Sequence, residues 1–343
     1  MIPKQYVEPE LTSPVDLCNP DGTLNPAAIG WSRHPLHRCN LIWTTRRPKR
    51  WNYWCITGDK FLLSIALSDR GKVAVGSAYF FEYETKRFAG QTGETPNGEG
   101  VVMPEYVHAG LDYPHPDIHV SMEAVGDNTT ILRAKTDNFD GQPFEAEITV
   151  VRPPGHETLN VVIPWSSTEF QFTSKQECLP ATGKFRIGSE TFEFAPGTAY
   201  ATLDYGRGFW PQRSSWNWAA ASGIQQGHVV GLNLGGKWTD GTGMNENGFV
   251  VDGRLTKLSE DLIWEYNPED FLQPWTIRTP FTDRLYVKFE PIFNRFNETS
   301  AENYHRVVNQ AVGYFNGYIV PDNGEKIELR DFFGWAEELQ AIW

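Results

Sequence analysis

The sequence predicts an all-β protein: two antiparallel β-barrels, or sandwich-like half-barrels, with a short C-terminal helix. Three observations carry this expectation. Short runs rich in β-branched and aromatic residues recur along the chain, separated by turn residues. Helical spacing is confined to the last segment. A chain of 343 residues with 40% hydrophobic content is longer than one core usually organises, so two domains are expected. With 13 tryptophans and 13 tyrosines, barrels holding ligand cavities are favoured over solid cores.

The elements follow in order. Phe61 to Leu67 leads through Asp69-Arg70-Gly71 into Lys72 to Tyr83, a hairpin. Thr130 to Thr136, Phe144 to Arg152 and Thr158 to Trp165 are three further strands. After them come Lys184 to Phe194, Thr198 to Asp204, Ser215 to Ala221, His228 to Gly235 and Arg284 to Glu290. Gly313 to Val320 and Lys326 to Leu329 flank Asn323-Gly324, a pair that tolerates the positive φ of a tight turn. The helix is expected from Asp331 to Ile342, capped by Asp331, with Phe332, Phe333, Ala336, Leu339 and Trp343 near one face. The strand pattern lapses between Thr168 and Thr182. The boundary is placed there, giving an N-terminal domain over 1–175 and a C-terminal domain over 176–343.

Composition narrows the partners. A net charge of −13 argues against nucleic acid or an anionic membrane surface. No segment reaches the roughly 18 apolar residues of a spanning helix. Met1 to Asn19 is polar and lacks the pattern of a secretion signal, and the four cysteines have no paired spacing, so a cytoplasmic protein is expected. A small molecule is the expected partner; the sequence leaves the oligomeric state open.

The candidate site lies between Asp204 and Asn247, which hold four of the 13 tryptophans: Trp210, Trp216, Trp218 and Trp238. In Asp204-Tyr205-Gly206-Arg207-Gly208, the glycines suit a sharp turn, and the planar guanidinium of Arg207 matches a carboxylate: Asp204, Glu246 or a substrate acid. The equally weighted alternative is a buried Arg–Asp pair that pins a loop. On a strand, Trp216 and Trp218 share a face. Gly231, Asn233 and Gly235 share another, which reads as a cavity wall because a buried amide demands a partner. Asn245-Glu246-Asn247 opens a strand that turns either Glu246 or the two asparagines inward. An aromatic box raises a carboxyl pKa and steadies cations, so these residues fit protonation of an alkene, epoxide or glycosidic oxygen. A tryptophan-rich core with surface acids is the plainer reading.

Elsewhere, His34, His37 and Cys39 lack a second ligand cluster, and no metal site is expected from them. His119 with Asp117 and His115 could hold a metal, act as a base or bind substrate; a solvated loop is the alternative. Arg46-Arg47-Pro48-Lys49-Arg50-Trp51, the sole basic cluster, could cover a cavity mouth or bind an acidic group, against an exposed turn. No nucleotide, hydrolase-elbow or zinc-protease motif is present, and no cofactor is implied.

Ile163-Pro164-Trp165, Phe172-Thr173-Ser174-Lys175, the run from Asp204 to Trp210, Ser215 to Trp218, Asn233-Leu234-Gly235, Asn245 to Asn247 and Phe333 to Glu337 occur in that order. With them the chain resembles, over nearly its whole length, the family known as domain of unknown function 2804. More distantly it is similar to the group of carotenoid hydratases and fungal cyclases. That resemblance implies two lipocalin-like barrels and metal-free chemistry on hydrophobic, isoprenoid or polyketide molecules. In the hydratases an aspartate near a tyrosine and a tryptophan protonates a double bond, and Asp204-Tyr205 is similar in kind.

The resulting expectation is a cofactor-independent hydratase, lyase or cyclase. Asp204 would be the acid, oriented by Arg207 or Tyr205, with Glu246 as a second carboxylate. Trp210, Trp216, Trp218 and Trp238 would shape the pocket, and Asn233, Asn245, Asn247 and His119 would position substrate or water. A carbohydrate-active enzyme with tryptophan platforms and paired carboxylates is the first alternative, and a lipophilic-ligand binding protein the second.

Overall fold

A computed structural model describes residues 7–44 and 46–343; part of the polar Met1–Asn19 stretch therefore lies outside the described residues. Among those residues the chain is nearly all β, with a single 3-10 turn at Pro26–Ala28. Two curled antiparallel half-barrel sheets face each other. The first has 13 strands. Its central path runs from Phe88–Pro96 through Val73–Glu82, Phe61–Asp69, Lys49–Thr57, Tyr200–Phe209 and Phe170–Ile187, then on through Gln142–Val151 and Thr129–Phe139. The second has nine strands, centred on Arg213–Gln225, Ile327–Ile342 and Tyr304–Ile319.

Both expected hairpins form. Phe61–Asp69 pairs with Val73–Glu82 around Gly71 at φ 88°, and Tyr304–Ile319 pairs with Ile327–Ile342 around Gly324 at φ 79°. These positive φ values fall where glycine carries no Cβ penalty.

The expected C-terminal helix is instead the strand Ile327–Ile342. Ladders with Arg213–Gln225 on one side and Tyr304–Ile319 on the other satisfy its backbone. Its faces are both buried: Phe332 and Ala336 enter the core of the second sheet, while Trp335 faces the first sheet. A doubly buried strand does not alternate, so its apolar run coincided with helical spacing. Asp331, expected as a cap, sits at a bulge with φ 46°.

The apparent lapse between Thr168 and Thr182 is also a bulge. Phe170–Ile187 is one strand of 18 residues, and residue 175 lies within it. Its register against Tyr200–Phe209 shifts between Gln176 and Leu179, where Cys178 takes φ 65°. Phe170 and Phe172 point into the first core before the bulge, Leu179 and Ala181 after it. The faces therefore exchange parity. The chain leaves the first sheet after Phe209 and enters the second at Arg213.

Each sheet curls around its own apolar cluster. Between the sheets, Tyr79, Phe81, Trp218, Val312 and Trp335 pack into a shared cluster, and a cavity opens beside it.

Candidate active site

The Tyr200–Phe209 strand sorts its side chains by parity. Tyr205 and Arg207 turn into the first half-barrel; Asp204 and, just beyond the strand, Trp210 turn toward the second sheet. Asp204 thereby meets a cavity of about 230 Å³ walled by both sheets. Thr173 and Lys175 reach it from the neighbouring strand, Trp216 and Trp218 from Arg213–Gln225, and Glu337 from Ile327–Ile342.

Gly206 and Gly208 do not form the expected turn; they lie within the strand. A Cβ at Gly206 would collide with the Trp51 indole and Gln171, and one at Gly208 with the Phe170 carbonyl. Close approach, rather than turning, requires glycine here.

Lys175 is the organising charge. Its Nζ lies 3.0 Å from Asp204 Oδ1, 3.1 Å from Glu246 Oε2 and 4.3 Å from the centre of the Trp218 ring. Burial works against the ammonium, but the two carboxylates outweigh it and hold Lys175 above the ordinary lysine value. Glu246 Oε1 accepts a hydrogen bond from Trp238 Nε1 at 2.7 Å, and burial pushes this carboxyl up despite Lys175. The two acids differ in access: the Asp204 side chain is 13% exposed and that of Glu246 is 1% exposed. Asp204 also accepts from Thr173 Oγ1 at 3.2 Å.

Glu337 supplies a third carboxyl. Its Oε1 accepts from Trp216 Nε1 at 2.7 Å and its Oε2 from Gln310 Nε2 at 3.1 Å. Burial raises its pKa, and the Trp216 hydrogen bond with the nearby Arg306 and Arg295 offsets the rise only in part. Aromatic rings close the wall. Trp210 packs on Trp238 at 5.1 Å and on Trp216 at 5.2 Å between centroids.

The expected site residues therefore separate. Asp204, Glu246, Trp210, Trp216, Trp218 and Trp238 line one cavity. Arg207 and Tyr205 do not: Arg207 donates to the carbonyls of Trp51 and Gly206 and to Asn52 Oδ1, each at 2.8 Å, and lies over the Tyr205 ring. The Tyr205 hydroxyl donates to the Pro104 carbonyl at 3.2 Å. The Arg207–Asp204 pairing fails because residues an odd number apart on a strand point to opposite faces.

The asparagines are frame rather than wall. Asn233 accepts from Trp218 Nε1 at 2.8 Å and donates to the Glu246 carbonyl at 2.6 Å. Asn245 Oδ1 accepts from Lys257 Nζ at 2.6 Å, and Asn247 Oδ1 from the Gly235 amide at 2.7 Å. Gly231 and Gly235 leave room for Glu177 and Glu246, not for a ligand. His119 lies on an outer surface, where its Nε2 meets Asp112 Oδ1 at 2.6 Å. Among the described residues, no group of three His, Cys, Asp or Glu side chains is arranged to hold a metal.

Lys175 and Glu337 occurred in the recognised motifs but were assigned no role. Tyr53, Tyr79, Arg295, Arg306 and Gln310 carried no local signal at all. Tyr53 and Tyr79 bond through their hydroxyls at 2.5 Å, and Tyr79 donates onward to Gln310 Oε1 at 2.9 Å. Tyr79 and Gln310 lie 231 positions apart in the chain, where spacing says nothing.

No curated protein matches the chain. Among solved structures, kievitone hydratase from Nectria haematococca is similar, with a TM-score of 0.50 and 8% identity over 86% of this chain and 88% of that one. A putative AttH from Nitrosomonas europaea gives a TM-score of 0.45 and 10% identity, covering 88% and 94%. CghA with Sch210972 gives 0.44 and 10% identity, covering 86% and 88%. Kievitone hydratase is thus a likeness of fold. The family model described as Domain of unknown function (DUF2804) matches residues 8–343, and the chain belongs to that family.

Proposed function

We propose that the chain is a cofactor-independent acid–base enzyme of the hydratase, lyase or cyclase type, acting on an unsaturated hydrophobic molecule between the two sheets. The observation that carries this reading is the presence of differently held carboxyls in one aromatic cavity. Asp204 forms an ion pair with Lys175, whereas burial raises the pKa of Glu337. A carboxyl in contact with an ammonium and a second one held up by burial are suited to act as base and acid.

This reverses the role first expected of Asp204. An ion-paired carboxylate suits proton acceptance, and Glu337 takes the donor role. In water addition, Glu337 gives its proton to one alkene carbon, with the faces of Trp210 and Trp216 steadying the developing cation. Asp204 takes a proton from water as its oxygen bonds to the other carbon. The sum is one water added; proton exchange through the cavity restores both groups, and the reverse sequence is elimination.

A glycosidase needs a sugar between its two carboxyls. Lys175 occupies the space between Asp204 and Glu246, which counts against that alternative. Inward-facing carboxyls likewise count against a purely lipophilic binding protein.

The test is a panel of unsaturated hydrophobic compounds incubated in heavy-oxygen water and read by mass spectrometry. Wild type should incorporate solvent oxygen into at least one compound. Asp204→Asn and Glu337→Gln should each slow this by roughly 10²–10⁴-fold. Unchanged rates in both folded variants would sink the assignment.

A further inference from the structure

The charges lining the cavity are partnered unevenly. Of its carboxylates, Asp69 ion-pairs with Arg47 and Arg50, and Asp204 and Glu246 share Lys175. Glu337 takes hydrogen bonds from Trp216 and Gln310, and Glu94 sits on the exposed rim. The cations are the reverse case. Lys49, Arg70, Arg295 and Arg306 all line the cavity, and among the described residues none forms a salt bridge.

This matters because the protein as a whole carries a net charge of −13. Acid groups are abundant, yet none makes a contact ion pair with these four: Asp69 stands near Lys49 and Glu337 near Arg295 and Arg306, each engaged with other partners. Lys49 is buried, donates to the Arg70 carbonyl and lies 4.9 Å from the centre of the Trp343 ring. Burial pushes its ammonium down to about 8. Arg306 is pushed down to about 9, by burial first and then by Arg70, and guanidinium remains charged at neutral pH. Trp51, in the same wall, has an indole Nε1 with no hydrogen-bond partner. Lys49 is buried and the three arginines are half-buried, with Arg306 donating to Asn297 Oδ1 at 3.2 Å and Arg295 lying over the Tyr79 ring. Four cations with neutral partners thus gather at one cavity beside an unused donor, a setting that favours an anion.

The positions also give a length. Lys49 and Tyr53 share a face four residues apart, as do Arg306 and Gln310, so each pair is separated by roughly 13 Å along its strand. Tyr53 pairs with Asp204 across the sheet, and Gln310 with Glu337. The backbones at Lys49 and Arg306 therefore stand about one such length from those at the carboxyls, and the Arg306 side chain spans part of that distance back toward Glu337.

We propose that the substrate is an elongated amphipathic acid. Its oxyanion head lies among Lys49, Arg70 and Arg306, and its apolar, unsaturated body runs past Arg295 to Trp210, Trp216 and Glu337. The inference rests on the cavity being the substrate site. It gives a role to Lys49, the one cation of the basic run from Arg46 to Arg50 that lines the cavity; Arg46 is exposed and pairs with Glu169, while Arg50 anchors Asp69.

Isothermal titration calorimetry with decanoate, decyl phosphate and the uncharged decanamide tests this on the full chain. At low salt, at least one of the two anions should bind about tenfold or more tighter than the amide. Which one does so distinguishes a carboxylate head from a phosphate head. Arg306→Gln and Arg70→Gln should each weaken anion binding more than amide binding and so shrink that ratio, and a misfolded variant is recognised by loss of the amide altogether. Equal affinity for all three probes, no binding of any, or an unchanged ratio in both variants would overturn the proposal. Asp204→Asn separates the two readings. Lost turnover without anion preference removes the acid substrate alone, and anion preference with unchanged turnover removes the acid–base assignment alone.

Discussion

The two faces of the Tyr200–Phe209 strand are made of equally unusual residues and do opposite things. On one face Asp204 meets a solvent-reachable cavity and shares an ammonium with Glu246. On the other, Tyr205 and Arg207 spend their polar atoms on backbone carbonyls and an amide inside a closed core. The difference teaches that charge and burial do not by themselves mark a site. Arg207 is more deeply buried than Asp204, but its hydrogen bonds all go to carbonyl and amide oxygens, which never change charge.

Substitutions that treat the faces separately sharpen this contrast. The largest effect is expected on the cavity face. Asp204→Asn should lower turnover by roughly 10²–10⁴-fold. Lys175 keeps Glu246 as counter-ion, so the melting temperature should stay within a few degrees of wild type. On the core face, Arg207→Leu strands the carbonyls of Trp51 and Gly206 and the amide of Asn52. Chemical denaturation should show a loss of about 3 kcal/mol or more. Comparable turnover defects in correctly folded samples of both variants would break the comparison.

Gly206→Ala belongs to the cavity face by parity but collides with Trp51 and Gln171. A destabilisation of about 1–3 kcal/mol is expected from such overpacking, read as a shifted denaturation midpoint.

A smaller, pH-dependent effect is expected where the faces of the adjacent strand exchange. Glu177 is buried at that bulge, its Oε1 has no partner, and burial pushes its carboxyl up to about 8. An unfolded glutamate titrates near about 4.3. Between those values the folded state holds a proton that the unfolded state has lost, so stability falls as pH rises through the window and levels above it. Glu177→Gln removes this term. Its gain in melting temperature over wild type should be larger near pH 9 than near pH 5. A gain independent of pH would show that Glu177 does not titrate in this window. The smallest effect is expected from His119→Ala, which should leave turnover and ligand affinity unchanged.

Much of this architecture was legible in the sequence. Local alternation and Asn323-Gly324 sufficed for the hairpins, and strand parity placed Trp216 and Trp218 on one wall. The failures have a common physical origin. Gly206-Arg207-Gly208 resembled a turn because the neighbour that forbids a Cβ, Trp51, lies on another strand. Phe332 to Leu339 resembled a helix because burial on both faces hid the alternation. Lys175, Asp204 and Glu246 could not be joined by spacing, since a sheet ladder and an intersheet contact bring them together. Glu337 was unreadable as an acid for the same reason.

The bulge at Cys178 makes the chain unusually sensitive to length. Parity reverses there, so Thr173 and Lys175 face the cavity while Leu179 and Ala181 face the core. Removing one residue at this point would change no other letter of the sequence, yet it would rotate a whole half-strand. Lys175 would be driven into an aliphatic interior, or Leu179 and Ala181 would turn outward. Length at this point is therefore as constrained as composition, and a one-codon deletion would act as a simultaneous substitution of every side chain on one side of the gap.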